Sequence, residues 1–339
     1  MRLKPILATV IFAALLYGFW TQVVATGLAD RLGGHLLSAF TCFALLLAVL
    51  WFFGFRNKEE ASTGKNHVGT GMNHVGTDVL VRPTRAKLAL VLTPSLLALP
   101  YLIFSLPRHE FHLTYFLGLA LLPVALSALI EFSNLPPHFA WQDFVALFGI
   151  ALILELRVFS PAWPYAGLGS LPKLYLCGVA LYLYIVVRRL PGIGYSFIPA
   201  LDDFKIGLRE WAFFLPIALG LGFATHFISF YPRHPSVGRI AGAFLITFLL
   251  TAIPEELFFR GILQNLLEPR LGRAKSLILT ACLFGLSHFH KGAAFNWRYV
   301  LLAAIAGIFY GRAWMAKRHL FASSLTHTLV DVVWGLWFR

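Results

Sequence analysis

Long apolar runs dominate the chain, and polar residues fall mainly in the short segments between them. About 20 mostly apolar residues are enough for an α-helix to cross the hydrocarbon core of a bilayer. The pattern therefore predicts an all-α fold, a polytopic bundle of about eleven transmembrane helices. The runs lie near residues 5–27, 34–55, 88–106, 112–132, 141–158, 173–187, 210–231, 239–266, 275–290, 298–314 and 319–338.

Composition excludes the other broad classes of protein. Of the 339 residues, 58% are hydrophobic and only 13% are charged, whereas a soluble domain has about 25% charged residues. Intrinsic disorder requires low hydrophobicity and is excluded. A disulfide scaffold is excluded as well, because the three cysteines (Cys42, Cys177 and Cys282) all lie inside apolar runs, where a reduced thiol is expected.

The net charge of +13 is typical of nucleic-acid-binding proteins, but in a membrane protein basic residues collect in the cytoplasmic loops. If the N-terminus lies inside, eighteen of the 28 Lys and Arg residues fall in inner segments and nine in outer ones. We therefore predict a multi-pass integral membrane protein with a cytoplasmic N-terminus. Its surroundings are membrane lipid, and no nucleic-acid partner is expected.

A segment rich in turn-forming and charged residues, near 190–210, separates two hydrophobic blocks. We predict an N-terminal multi-span block over residues 1–195, of unknown role, and a second block over residues 196–339. Charged residues of the first block, such as Asp143, Glu155 and Arg157, lie near the ends of their runs. Snorkelling to the membrane interface accounts for such residues without a functional role.

Ionisable side chains deep in the second block are candidates for function, because a charge inside a span is costly. Glu255, His288 and Asp331 each lie about twelve residues from the inner end of their run, roughly 18 Å at 1.5 Å per residue. His327 lies one turn nearer the inner end. Three helices of alternating direction would therefore bring these four groups to nearly one level.

Helical spacing predicts two further pairs on single helix faces. Glu256 and Arg260 are four residues apart, the favoured order for an acidic–basic pair, and a structural ion pair is the favoured interpretation. His327 and Asp331 are also four apart and project from one face. Glu255 is offset from Glu256 by about 100°, so it can face a different neighbour.

Three ordered motifs in the second block resemble a known family. EELFFR matches EExxxR, FGLSH matches FxxxH, and HTLVD matches a final His-xxx-Asn/Asp motif. Residues 200–339 thus resemble the CPBP family of intramembrane proteases, which includes the type II CAAX prenyl proteases (Ras-converting enzymes) and lysostaphin-resistance-like proteins.

The resemblance implies an intramembrane endopeptidase that acts in CAAX-type C-terminal processing or on another membrane-associated peptide or protein. The chain contains no feature that specifically recognises a prenyl group. In the family's pattern Glu255 is the general base that activates a water, and His288 holds that water. His327 and residue 331 would stabilise the oxyanion. The supporting residues would be Glu256, Arg260 and Phe284.

Asp331 departs from the prenyl proteases, which have Asn at this position. An ionised Asp cannot donate a hydrogen bond to an oxyanion, so Asp331 would be protonated, orient His327 or bind a metal. We favour metal-free catalysis without a cofactor. The alternative is a zinc enzyme with Glu255, His288 and His327 as ligands, which are of suitable types.

Two functions of other classes compete with a peptidase. Eleven spans with charges at depth also suit a transporter, although the sequence has no recognisable inverted repeat. A non-catalytic scaffold or immunity-type protein that only binds a peptide is the second rival. The complete set of one Glu and two His residues at the motif positions favours catalysis over both.

Overall fold

The structure, a computed structural model, describes residues 3–56, 83–289, 291 and 295–338. Within these ranges the chain is helical and contains no strand beyond one isolated antiparallel bridge between Phe230 and Phe338. The all-α class predicted from the apolar runs is confirmed. Four of the basic residues assigned to inner segments (Arg2, Lys58, Lys65 and Arg82) and one assigned to an outer segment (Arg339) lie outside the described residues.

Every predicted run of the N-terminal block contains a helix. Short 3₁₀ turns extend or join several of them, and a π-helical segment, Tyr182–Val187, continues the last helix. The helices are α1 (Leu3–Ala25), α2 (Leu28–Leu32), α3 (Leu36–Arg56), α4 (Thr84–Leu92), α5 (Leu99–Ser105), α6 (Leu113–Glu131), α7 (Trp141–Glu155) and α8 (Leu171–Leu181).

Every predicted run of the second block also contains a helix. Two π-helical segments, Phe248–Ala252 and Leu257–Gln264, interrupt its longest stretch. The helices are α9 (Leu201–Ala224), α10 (Val237–Thr247), α11 (Ile253–Glu256), α12 (Asn265–Leu286), α13 (Trp297–Lys317) and α14 (Leu320–Trp337).

Six helical stretches of the described chain are long and apolar enough to cross a membrane, and two shorter apolar ones, Thr9–Thr21 and Leu171–Val187, accompany them. A membrane-embedded helical bundle is thus confirmed, whereas the count of eleven spans stays a prediction. The six stretches are Leu28–Phe55, Thr84–Arg108, Leu113–Glu131, Leu201–Ala224, Val237–Leu286 and Trp297–Lys317.

The 50-residue stretch Val237–Leu286 covers two of the predicted runs, 239–266 and 275–290. Gly272 within it has φ 76° and ψ 169°, a conformation that lies outside the helical region and that glycine adopts readily. The backbone therefore breaks at this residue. The part before Gly272 carries Glu255 and Glu256, and the part after it leads to His288.

Asp143 does not snorkel to an interface, as its position near the end of a run suggested. Its side chain is fully buried and lies 3.2 Å from Arg188 Nε. Its Oδ2 also accepts a hydrogen bond from the Ala140 amide at 3.0 Å, at the start of α7. A buried carboxylate is tolerated when it is paired and hydrogen-bonded, so Asp143 has a structural role that the sequence interpretation missed.

The main buried apolar cluster contains residues from both blocks, including Leu174 and Leu181 of α8, Ile253 of α11 and Leu257. α8 packs directly against α11. Large apolar side chains on the outer surface, such as Val237, are exposed, which suits contact with lipid. The shared core holds the first block against the segment that carries Glu255.

Because α12 packs closely against α13, we predict that Gly285 cannot be replaced by a larger residue without a loss of stability. A Cβ atom there would lie 2.6 Å from the Val300 carbonyl oxygen and 2.7 Å from Ala304 Cβ, neither of which is the end of a flexible side chain. We expect Gly285→Ala to lower the free energy of unfolding by about 1–3 kcal/mol, measured by denaturation in detergent.

Gly149→Ala in α7 is the matched control for Gly285→Ala. No heavy atom lies within 4 Å of a Cβ built there, and alanine favours a helix interior by about 0.5–1 kcal/mol over glycine. The control should leave the protein as stable as before or slightly more stable. Equal destabilisation by both substitutions would contradict the packing argument.

Candidate active site

Glu255 and Glu256 lie at the end of α11, between the two π-helical segments. π-Helical turns are rare and often occur at functional sites. Pro254, which precedes the pair, has no backbone N–H and removes one helical hydrogen bond. The helix is therefore irregular on both sides of the two carboxylates.

The structure places all four predicted catalytic residues, together with Phe284, around one open cavity of about 100 Å³. Glu255 comes from α11, Phe284 from α12, His288 from the turn that follows α12, and His327 and Asp331 from α14. The remaining wall is largely apolar and aromatic. It includes Trp211, Phe214, Phe227, Tyr299, Tyr310 and Trp334, with Lys291 as a further cation.

Glu256 and Arg260 form a fully buried ion pair, with 2.8 Å between Glu256 Oε1 and Arg260 Nη1. Arg260 Nη2 also donates to the Gly307 carbonyl of α13 at 3.0 Å. The same Glu256 oxygen lies 2.9 Å from His327 Nδ1. The pair therefore links three helical segments and holds one side of the His327 ring.

Aromatic rings surround Arg260 and His327. The guanidinium carbon of Arg260 lies 4.5 Å from the Phe284 ring centroid, within the range of a cation–π contact. The His327 ring stacks on Tyr310, with 4.6 Å between centroids and 14° between planes. Phe284 meets His327 edge-on at 5.7 Å. Phe284 and Tyr310 thus fix the guanidinium and the imidazole by packing.

The other side of the His327 ring faces two more carboxylates. His327 Nε2 lies 3.4 Å from Asp331 Oδ2 and 3.9 Å from Glu255 Oε2. With Glu256 at Nδ1, both ring nitrogens face acceptors. Only an imidazole protonated on both nitrogens donates to both sides.

His288 is 6% exposed, and its ring is oriented by its own helix end. Nδ1 lies 2.8 Å from the Phe284 carbonyl and 3.1 Å from Ser287 Oγ. Because a carbonyl only accepts, Nδ1 carries the proton in that hydrogen bond and Nε2 of the neutral ring is an acceptor. A ring nitrogen held in this way can accept a hydrogen bond from a water.

Glu255 has an unexpected partner from the N-terminal block. Lys173 Nζ donates to Glu255 Oε1 at 3.1 Å. The sequence interpretation assigned Lys173 to an outer segment and did not connect it with the site. No spacing rule could have done so, because the two residues are 82 positions apart.

The ligand set for the zinc alternative is not assembled in this structure. Throughout the described ranges, no three His, Cys, Asp or Glu side chains form a group that could hold a metal ion. Glu255, His288 and His327 border one cavity without forming such a group.

Residues 238–333 match the family model described as type II CAAX prenyl endopeptidase Rce1-like. This segment contains the candidate site residues Glu255, Glu256, Arg260, Phe284, His288, His327 and Asp331. The resemblance predicted from the three motifs is confirmed. No curated protein and no solved structure matches the chain. With its apolar helices and its Rce1-like segment, the chain is an integral membrane protein.

Proposed function

We propose that this protein is an intramembrane endopeptidase that hydrolyses a peptide bond with a water activated by Glu255. One observation carries the proposal. A carboxylate and two imidazoles from three separate helical segments border a single open cavity, inside the segment that matches an endopeptidase family. A cavity of this kind can admit the water that lipid does not supply.

The residues have complementary roles in the proposed reaction. Glu255 takes a proton from a water that His288 Nε2 helps to hold, and the water oxygen attacks the peptide carbonyl carbon. Negative charge then develops on the carbonyl oxygen, where a hydrogen-bond donor stabilises it most. His327 supplies that donor through Nε2–H. When the C–N bond breaks, Glu255 returns the proton to the departing amine.

Asp331 orients His327 in this proposal. Glu256 holds Nδ1 of the ring, and Asp331 lies on the Nε2 side at 3.4 Å. That separation is longer than a typical hydrogen bond, so the Nε2–H group can turn to the oxyanion. Asp331 therefore orients the His327 ring without donating a hydrogen bond itself.

The role of Asp331 predicts a difference between two substitutions. An amide oxygen can occupy the same place beside His327 Nε2, so Asp331→Asn should keep kcat/KM within about threefold. Asp331→Ala leaves the ring unrestrained on that side and should lower kcat/KM by about 10- to 100-fold. Steady-state kinetics on purified variants measure both. Equal losses in the two variants would favour an essential negative charge at this position.

We further propose eleven spans with a cytoplasmic N-terminus, and a membrane-associated substrate of the prenylated CAAX class or a related membrane peptide. The charge distribution of the loops supports the orientation, and the matched family supports the substrate class. Cysteine accessibility in the loops, measured from each side of sealed vesicles, tests the topology.

The test of the function uses the purified chain in liposomes with two peptides of one sequence, one farnesylated and one not. We expect mass spectrometry to find a new peptide terminus in at least one reaction, unchanged by EDTA. Loss of cleavage with EDTA and its recovery with zinc would replace the metal-free mechanism with the zinc alternative. Binding of the peptides without cleavage would favour the scaffold function.

A further inference from the structure

Lys173 is the residue of the N-terminal block that touches the proposed general base. Its ammonium lies 3.1 Å from Glu255 Oε1. Both side chains are largely enclosed, with 26% of Lys173 and 19% of Glu255 exposed. The pair thus lies at the junction of the two blocks, where charges are only partly screened by water.

The two oxygens of the Glu255 carboxylate have different surroundings. Oε1 accepts the hydrogen bond from Lys173. Oε2 lies 3.9 Å from His327 Nε2, which is too long for a direct hydrogen bond. One oxygen is therefore held by the first block, and the other is available to a water beside His327.

The position of Lys173 is determined by the packing of α8. Leu171 and Leu174, on either side of it, are buried, as are the residues that follow through Leu181. Pro172 lies in the first turn of the helix, where its fixed φ is favourable. Because α8 also packs against α11, the ammonium is presented to Glu255 by a rigid part of the N-terminal block.

We propose that Lys173 is a positioning residue of the active site, so that the N-terminal block supplies part of the catalytic unit. Its hydrogen bond to Oε1 fixes the rotation of the Glu255 carboxylate and directs Oε2 to the attacking water. This inference rests on the proposed role of Glu255 as general base. It gives residues 1–195 a function in catalysis in addition to their packing.

Three variants in the full-length protein test the proposal. Lys173→Met keeps the apolar stem and removes the hydrogen bond, and should lower kcat by about 10- to 100-fold with KM within about twofold. Lys173→Arg keeps the donor and should recover most of the lost kcat. Lys205→Met is the control, because Lys205 is 78% exposed on α9 and should behave like the wild type.

A purely structural ion pair would give a different pattern. In that case Lys173→Met and Lys173→Arg would lower activity in proportion to the fraction of protein that unfolds, with no separate effect on kcat. Wild-type kcat in Lys173→Met, alongside an inactive Glu255→Gln variant, would overturn the inference while the proposed peptidase function stands.

A readout independent of activity keeps the contact testable if the wild-type protein cleaves no peptide and the proposed function fails. We expect Lys173→Met to lower the Tm of the wild type by more than it lowers the Tm of Glu255→Gln, whose amide keeps the hydrogen bond to Lys173 but not the ion pair, since residues in contact are energetically coupled. Equal Tm shifts in the two backgrounds would show that the side chains do not interact, and would overturn the inference.

Discussion

Replacing Glu255 by glutamine should lower kcat for peptide cleavage by about 100- to 10,000-fold, the usual contribution of a general base. Glutamine has nearly the same shape and can still accept the hydrogen bond from Lys173, which lies 3.1 Å from Oε1. The amide cannot take a proton from water near neutral pH. Activity should therefore fall while folding is preserved, measured by kinetics in liposomes beside thermal unfolding in detergent.

Asp30→Asn is the matched control for Glu255→Gln. Asp30 is an exposed carboxylate on the short helix α2, and its conversion to an amide makes the same change of charge away from the cavity. We expect kinetics like those of the wild type. If Glu255→Gln also cleaved the peptide at the wild-type rate, the glutamate mechanism would be wrong, whatever the substrate proves to be.

Removing the guanidinium of Arg260 should have the largest effect on stability. Arg260→Met leaves Glu256 fully buried without its 2.8 Å partner, and it removes the hydrogen bond to the Gly307 carbonyl. Breaking a buried ion pair from one side costs about 3–5 kcal/mol, because the remaining charge is uncompensated. Unfolding in detergent, followed by circular dichroism, measures this loss.

Two further variants define the source of that loss. Arg270→Met, at an exposed position of α12, should change the free energy of unfolding by less than about 0.5 kcal/mol. The double variant Glu256→Leu/Arg260→Met should be less destabilised than Arg260→Met alone, since it removes the isolated buried charge. A double variant that is less stable than the single one would indicate that packing around the guanidinium dominates.

Local geometry explains which parts of the site were predictable from the sequence. Residues four apart on a helix lie on one face, and the two pairs chosen on this basis, Glu256 with Arg260 and His327 with Asp331, lie 2.8 Å and 3.4 Å apart. Five of the motif residues also border one cavity: Glu255, Phe284, His288, His327 and Asp331. Helical periodicity and the cost of charge in a membrane were sufficient for these inferences.

Contacts between distant segments were not predictable in the same way. Asp143 was expected at an interface, yet it is buried beside Arg188, 45 positions away. Glu256 was expected to pair with Arg260, and it also holds His327 across 71 positions. Each contact depends on how two helices pack and rotate against each other, which no single stretch of sequence specifies.

The sequence by itself determined the helical membrane class, the family resemblance and the candidate functional residues, because these depend on composition, local periodicity and motif spacing. The tertiary structure alone decided the partners of those residues. Lys173 reaches Glu255 because α8 packs beside α11, and His327 lies among three carboxylates because α14 packs against the glutamate-bearing segment. Such contacts follow from the global packing of helices around a shared core.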